Sequence, residues 1–256
     1  MKKSDKRIIA LCNQKGGVGK TTCAVNIGAG LAALGRRVML VDVDPQAHLT
    51  YALGVPAHDL KQSLYDVLKG GLPLEEAALG RDGMLLVPSS LDLAGLEMEL
   101  ASVPGRELLL RETLDGVEGY DFVILDCPPS LGLLTLNALC AAREVFIPLQ
   151  TEFMALKGMG KLLGTIETVK KRLNPDLAVT GIIGTRYDAR KRLNRGIVET
   201  ITDRFGGLLF ATLIRENVSL AEAPGYGQTI FEYAPRSYGA QDFRALAREI
   251  AAGVRS

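Results

Sequence analysis

Long apolar runs, charge of one sign and clustered metal ligands are all missing from this 256-residue chain. No uncharged apolar stretch reaches the roughly 20 residues that a bilayer-crossing helix requires. The opening MKKSDKR carries no apolar segment of signal-peptide length, so the cytoplasm is the expected location. Thirty basic residues stand against 29 acidic ones, a net charge of +1. That balance excludes a globally cationic nucleic-acid coat and leaves room for a local basic patch. Only four cysteines occur, Cys12, Cys23, Cys127 and Cys140. They are widely spaced, with no CxxC and no histidine cluster beside them, so neither a zinc site nor a disulfide framework follows. Internal repeats, low-complexity tracts and convincing linkers are absent too; Gly70-Gly71-Leu72-Pro73 and Val103-Pro104-Gly105 read as loops.

What remains is an ordinary soluble composition, 47% hydrophobic with a mean hydropathy of +0.15. The length suffices for one large α/β domain over residues 1–256 and does not require two. Apolar runs of strand length recur at Ile8–Cys12, Val38–Val41, Met84–Val87, Phe122–Leu125, Val145–Leu149, Val179–Ile183 and Leu208–Ile214. Most are continuously apolar, as strands covered on both faces are. Helix-like segments lie between them, at Thr21–Leu34, Leu91–Ala101, Leu131–Ala142, Leu156–Leu173 and Gly196–Phe205. A last one, Ala240–Ala252, has Phe243, Leu246, Ala247 and Ile250 on one face. The alternation predicts a doubly wound, mostly parallel sheet flanked by helices, with its ligand at the carboxyl ends of the strands.

The chemistry concentrates in Lys15-Gly16-Gly17-Val18-Gly19-Lys20-Thr21-Thr22, between the first apolar run and the first helix. Glycines there let backbone N–H groups converge on phosphate oxygens, and the helix's positive end adds to the attraction. Lys20 is placed to reach β- and γ-phosphates, and the Thr21 hydroxyl to ligate Mg²⁺. The general phosphate-loop pattern wants a glycine where Gln14 stands, and this chain adds a second lysine, Lys15. Facing outward, that cation is placed to neutralise the phosphates of a nucleotide held by a second subunit.

Carboxylates follow at two strand ends. Val41-Asp42-Val43-Asp44-Pro45-Gln46 puts Asp42 and Asp44 on one side of an extended segment. A carboxylate there can orient the water for in-line attack on a γ-phosphate. Ile124-Leu125-Asp126-Cys127-Pro128-Pro129-Ser130 ends an apolar strand in an aspartate suited to hold Mg²⁺ directly or through water. The two prolines suggest a stiff switch loop, and Cys127 a small buried neighbour.

Taken together, KGGVGKTT, VDVDPQ and ILDCPPS resemble the ParA/Soj partitioning ATPases, within the MinD/ParA class of P-loop ATPases with a deviant Walker A motif. The resemblance continues through Thr185–Arg190 and Asn217–Pro224 and covers nearly the whole chain. It implies a P-loop NTPase fold, ATP and Mg²⁺ as cofactors, slow ATP hydrolysis, and an ATP-bound homodimer that binds DNA nonspecifically. A ParB-type partner that stimulates hydrolysis is implied as well, with a nucleoid-associated location and no membrane partner. By resemblance the catalytic set is Lys15 acting across the dimer, Lys20, Asp44 serving the attacking water, and Asp126. Nucleotide binding then falls to Lys15, Gly16, Gly17, Val18, Gly19, Lys20, Thr21 and Thr22, with Asn217 near the adenine, and Mg²⁺ to Thr21 and Asp126.

Arg190, Lys191, Arg192 and Arg195 form a basic run, with Arg215 and Arg236 further on. Such a cluster can track a phosphate backbone without reading sequence. Relatives commonly read PRNVR where this chain has Arg215-Glu216-Asn217-Val218-Ser219. Two usual arginine positions are therefore Glu216 and Ser219, and the expected DNA binding is weaker there or carried mainly by the 190–195 cluster and Arg236. Three other readings compete: a MinD-like membrane-surface ATPase, an iron–sulfur ATPase with cysteines bridging subunits, and a small-molecule ligase or kinase. The first needs an amphipathic tail beyond the last core helix, the second a further suitable cysteine, the third an acceptor pocket.

Overall fold

The structure, a computed structural model, describes residues 6–152 and 158–253. Seven strands form one sheet: β1 (Arg7–Leu11), β2 (Val38–Asp42), β3 (Leu79–Arg81), β4 (Met84–Val87), β5 (Phe122–Asp126), β6 (Glu144–Gln150) and β7 (Ala178–Thr185). Their order is β3-β4-β2-β5-β1-β6-β7, parallel except for the edge strand β3, which runs antiparallel to β4. The helices that pack on the sheet include α1 (Lys20–Ala33), α2 (Leu109–Asp115), α3 (Leu133–Ala141), α4 (Met159–Arg172), α5 (Arg192–Phe205) and α6 (Tyr238–Ala252).

Alternation along each strand feeds two separate cores. In β1, Ile8, Ala10 and the following Cys12 join a cluster with Leu110, Leu134 and Leu162, drawn from α2, α3 and α4. Ile9 and Leu11 point the other way, toward Leu31 of α1 and Phe243, Leu246 and Ile250 of α6. Burial on both faces is why these strands read as unbroken apolar runs. On the second face α1 and α6 approach closely, since a Cβ on Gly30 would lie 2.7 Å from that of Ala247.

Six of the seven expected strands form, with ends shifted by at most two residues. Leu208–Ile214 does not extend the sheet. Its pairing with β7 is confined to an isolated bridge, Leu209 with Ile182, and scattered single bonds. The Phe210 and Ile214 N–H groups reach the β7 carbonyls of Ile182 (2.9 Å) and Gly184 (2.8 Å), but between them the Glu249 carboxylate of α6 accepts those of Ala211 (2.8 Å) and Thr212 (3.1 Å), which interrupts a ladder. The expected helix Leu91–Ala101 is divided at Gly95 into a tight turn, Leu91–Ala94, and a short helix, Leu96–Glu99. The expected start of the Leu156–Leu173 helix lies outside the described residues, and α5 begins four residues before the expected Gly196. Strand β3 is too short to register as a periodic pattern.

Candidate nucleotide site

Between the end of β1 and the start of α1, residues 12–19 curl over the carboxyl edge of the sheet. Gly17 (φ +72°) and Gly19 (φ +93°) take left-handed conformations that a side chain would oppose. Loop carbonyls are bonded to neighbouring strand ends. Gln150 Nε2 at the end of β6 donates to the Gly17 carbonyl (2.9 Å), and Thr185 Oγ1 at the end of β7 donates to that of Val18 (2.9 Å). Asn13 fixes the entrance, donating from Nδ2 to Pro148 O (2.7 Å) and accepting the Lys15 N–H on Oδ1 (3.0 Å). Tying up the carbonyls reserves the loop's N–H groups for an anion.

The loop forms one wall of a cleft of about 920 Å³, which Gly16–Thr22, Asp44, Pro129, Arg215 and Asn217 help to line. Lys20 is buried there. Thr21 donates its hydroxyl to Asp126 Oδ2 (2.6 Å). Thr22 lines the same wall, and its carbonyl accepts from Asn26 Nδ2 (2.8 Å). Asn26 Oδ1 in turn accepts the Ile230 N–H (2.9 Å), tying α1 to the late part of the chain. Another cavity, of about 540 Å³, lies at the opposite end of the sheet around Arg7 and Glu144. Those two charges neutralise each other in a two-pronged pair, with Arg7 Nε 2.6 Å from one Glu144 oxygen, so the unsatisfied chemistry belongs to the larger cleft.

Strand register puts Asp42 directly beside Asp126. Their roles divide. Asp42 is fully buried and holds the next turn of chain, accepting the Thr50 N–H (2.9 Å) and hydroxyl (2.7 Å) and the Asp44 N–H (3.2 Å). Asp44 lies beyond the strand, on the cleft wall, and accepts the Gln46 N–H (3.0 Å). Asp126 is 1% exposed, and its Oδ1 has no partner among the described residues. Burial, and then the Asp42 carboxylate, push the Asp126 carboxyl well above the usual range; the Thr21 hydroxyl and Lys20 oppose that only in part.

This is a site short of positive charge. A divalent cation fits it: a threonine hydroxyl and a carboxylate sit together, with one buried carboxylate oxygen unpartnered. Among the described residues no group of three or more His, Cys, Asp or Glu gathers around one point. The remaining ligand positions therefore fall to nucleotide oxygens and water.

Lys15 is exposed at the mouth of the loop, yet its ammonium is held by its own chain. Nζ lies 3.0 Å from Gln150 Oε1 and 3.7 Å from Glu152 Oε2. Asn217 lines the far end of the cleft, with Oδ1 accepting the Ser219 N–H (2.9 Å). Beside it Arg186 adopts a left-handed φ of +52°, unusual outside glycine.

The basic residues fare differently from one another. Arg190 forks onto Asp188 (3.0 and 2.9 Å) and holds that carboxyl down at about 2. Lys191 pairs with Glu216 (3.0 Å), the acid at one of the departures from PRNVR. Arg215 is committed to Asp242 (2.6 Å) and covers the ring of Tyr238. Arg195 donates to Ala189 O (2.9 Å). Arg192 and Arg236 are exposed and make no ion pair with the described residues. Sequence alone does not single out Gln150, Thr185, Asn13 or Asn26. Each is an ordinary polar residue ending a strand or lying inside a helix, and only the folded sheet brings it to the loop.

Residues 6–179 match the family model described as an AAA domain. The chain is 50% identical to the chromosome-partitioning ATPase Soj of Thermus thermophilus over 97% of its length and 96% of that protein's. It is 45% identical to the sporulation initiation inhibitor protein Soj of Bacillus subtilis, over 96% and 98%. The chain belongs to the ParA/Soj family of partitioning ATPases. Among solved structures, a Mycobacterium smegmatis protein named cobyrinic acid a,c-diamide synthase, with a bound ATP analogue and magnesium, superposes with a TM-score of 0.86. That pair is 40% identical and covers 98% of each chain. The mostly parallel sheet flanked by helices is thus a P-loop ATPase fold.

Proposed function

We propose that this chain is an ATP-dependent dimerisation switch that hydrolyses ATP slowly, binds DNA nonspecifically and serves chromosome or plasmid partitioning. The observation that carries the reading is the arrangement around the loop. One lysine, Lys20, is buried in the cleft, and a second, Lys15, is exposed at its mouth, beside strand-end aspartates of which one has an unpartnered oxygen.

The glycine loop binds the phosphates of ATP through its N–H groups, with Lys20 on the β- and γ-phosphates and Thr22 beside them. Thr21 and Asp126 would hold Mg²⁺, which when bound polarises phosphate oxygens and neutralises their charge. Asp44 on the cleft wall orients the attacking water. Lys15 enters the site of the second subunit, so that two chains enclose two nucleotides, and Asn217 lies against the adenine. Differential affinity of the dimer for ATP over ADP makes hydrolysis a release step.

For DNA, the placement of charge on two helices is informative. α4 carries Lys170, Lys171 and Arg172 in its last turn, where the helix dipole favours cations. α5 carries Arg192 and Arg195 in its first turn, behind Lys191, where the dipole disfavours them. A phosphate backbone relieves that conflict. Arg190 and Lys191 can exchange their carboxylate partners for phosphate, Arg236 adds an exposed charge, and Arg215 contributes only by leaving Asp242. A ParB-type protein as hydrolysis stimulator and a nucleoid-associated location complete the reading.

Sedimentation with ATP, with ADP and without nucleotide, each with and without nonspecific duplex DNA, tests it. Dimers with ATP alone, and DNA binding only by those dimers, are expected; a monomer in ATP overturns the switch. The synthase name carried by the Mycobacterium smegmatis protein favours a second reading, a small-molecule ligase. A ligase turns over no ATP without an acceptor, whereas the switch hydrolyses it alone. The MinD-like alternative loses its apolar helix face, because Phe243, Leu246, Ala247 and Ile250 are core. No helix among the described residues is long and apolar enough to cross a membrane, and liposome flotation in ATP and ADP checks surface binding.

A further inference from the structure

The Gln150 side chain touches two functional parts of the loop at once. Its Nε2 donates to the Gly17 carbonyl (2.9 Å), and its Oε1 accepts from the Lys15 ammonium (3.0 Å). The residue is 5% exposed, so water does not readily reach its amide, and the bond to the exposed ammonium opens from the lysine's side. Two residues on, the exposed Glu152 places a carboxylate oxygen 3.7 Å from the same ammonium. Nothing about phosphate binding within one chain requires Lys15 to be held here. The amide can satisfy both groups only in this orientation, with oxygen toward the cation and nitrogen toward the carbonyl.

We propose that Gln150 and Glu152 form a resting site for the Lys15 ammonium in the uncomplexed chain, and that Gln150 is a positioning residue linking Lys15 to the shape of the phosphate loop. Lys15 must break these contacts before it can serve a second copy of the chain. A shift of the Gly17 carbonyl on nucleotide binding loosens the same amide that holds the lysine, so loop occupancy and lysine release are coupled. Glu152 adds a barrier of the size of an exposed ion pair. The part concerning a second copy rests on the dimerisation reading above; the resting site itself does not.

Two measurements separate these parts. In nucleotide-free protein, lysine-selective NMR follows exchange of the Lys15 ammonium protons with water, the signal being assigned by its loss in Lys15→Arg. Exchange is expected to quicken about three- to tenfold in Gln150→Leu, within the range for losing one ordinary hydrogen bond, since the ammonium itself is exposed. A smaller rise, about two- to fivefold, is expected in Glu152→Gln. Because Gln150 is buried and its variant risks misfolding, the exposed Glu152→Gln keeps the test decisive. Unchanged exchange in a folded Glu152→Gln, or no protected signal in the unsubstituted protein, overturns the resting site. In sedimentation with ATP, Glu152→Gln should then dimerise about two- to fivefold more tightly. Weaker dimerisation would overturn the resting role by assigning Glu152 to the partner's lysine. Failure of the unsubstituted protein to dimerise would count against the switch alone, the NMR result still deciding the resting site.

Discussion

Replacing Asp126 with asparagine should make the nucleotide-free protein more stable while removing its response to Mg²⁺ and ATP. The carboxylate is buried beside Asp42, and among the described residues its Oδ1 has no partner and the Thr21 hydroxyl is its one hydrogen bond. Asparagine keeps an oxygen for that hydroxyl and removes the charge. A buried ion typically retains a penalty of several kcal/mol after relaxation. Lys20 and Thr21 offset part of it here, so a net gain of about 1–3 kcal/mol is expected on neutralisation. For a chain of this size that is a rise in Tm of about 3–9 °C.

The sign with pH follows from linkage. The folded-state pKa is raised, so the folded protein binds the proton more tightly than the unfolded chain does. The wild-type penalty is absent below the unfolded carboxylate pKa of about 4, grows as pH rises through the folded value, and then levels off. The gap between Asp126→Asn and wild type should therefore be wide at pH 8 and close toward pH 4.5, read by thermal denaturation in EDTA. Adding Mg²⁺ and ATP should raise the wild-type Tm and leave the variant's nearly unchanged. A variant no more stable than wild type at pH 8, or a gap that ignores pH, would refute the argument.

Further expectations come from the same geometry. Lys20→Ala should reduce ATP affinity about ten- to 150-fold, the loss of a buried charge-assisted contact; unaltered binding of a fluorescent ATP analogue contradicts the site. Asp44→Ala should bind ATP and accumulate as a dimer with little phosphate release, and wild-type turnover removes its role with water. Alanine at both Arg192 and Arg195 should weaken DNA binding evenly across sequences and lower the slope of log affinity against log salt by about 2; an unchanged slope places the DNA elsewhere. Gly30→Val should wedge α1 from α6, since even a Cβ there meets Ala247 at 2.7 Å. A loss of about 1–3 kcal/mol in urea denaturation is expected.

Much of this molecule was legible before folding. Continuous apolar runs announced strands buried on both faces, and KGGVGKTT announced a left-handed glycine turn between a strand and a helix, because both signals are local and do not depend on distant partners. The strand-end aspartates were legible as a pair of candidates, though their separation into a structural Asp42 and a cleft-wall Asp44 was not. Extended geometry puts both on one side, but the strand stops at Asp42 and the Thr50 turn claims that carboxylate. Leu208–Ile214 has the composition of a strand, but Glu249, some 40 residues away, takes the N–H groups of Ala211 and Thr212 in its middle and leaves only isolated bonds to β7 on either side.

The local sequence by itself determined which segments bury themselves, where the glycine loop forms between β1 and α1, and which charges stand near it. Tertiary structure alone decided which of those charges are spent: Arg215 on Asp242, Lys191 on Glu216, Lys15 on Gln150 and Glu152. An ion pair or a hydrogen bond depends on distances between residues remote in the chain. Those distances exist only once β6 lies beside β1 and β7 beside β6.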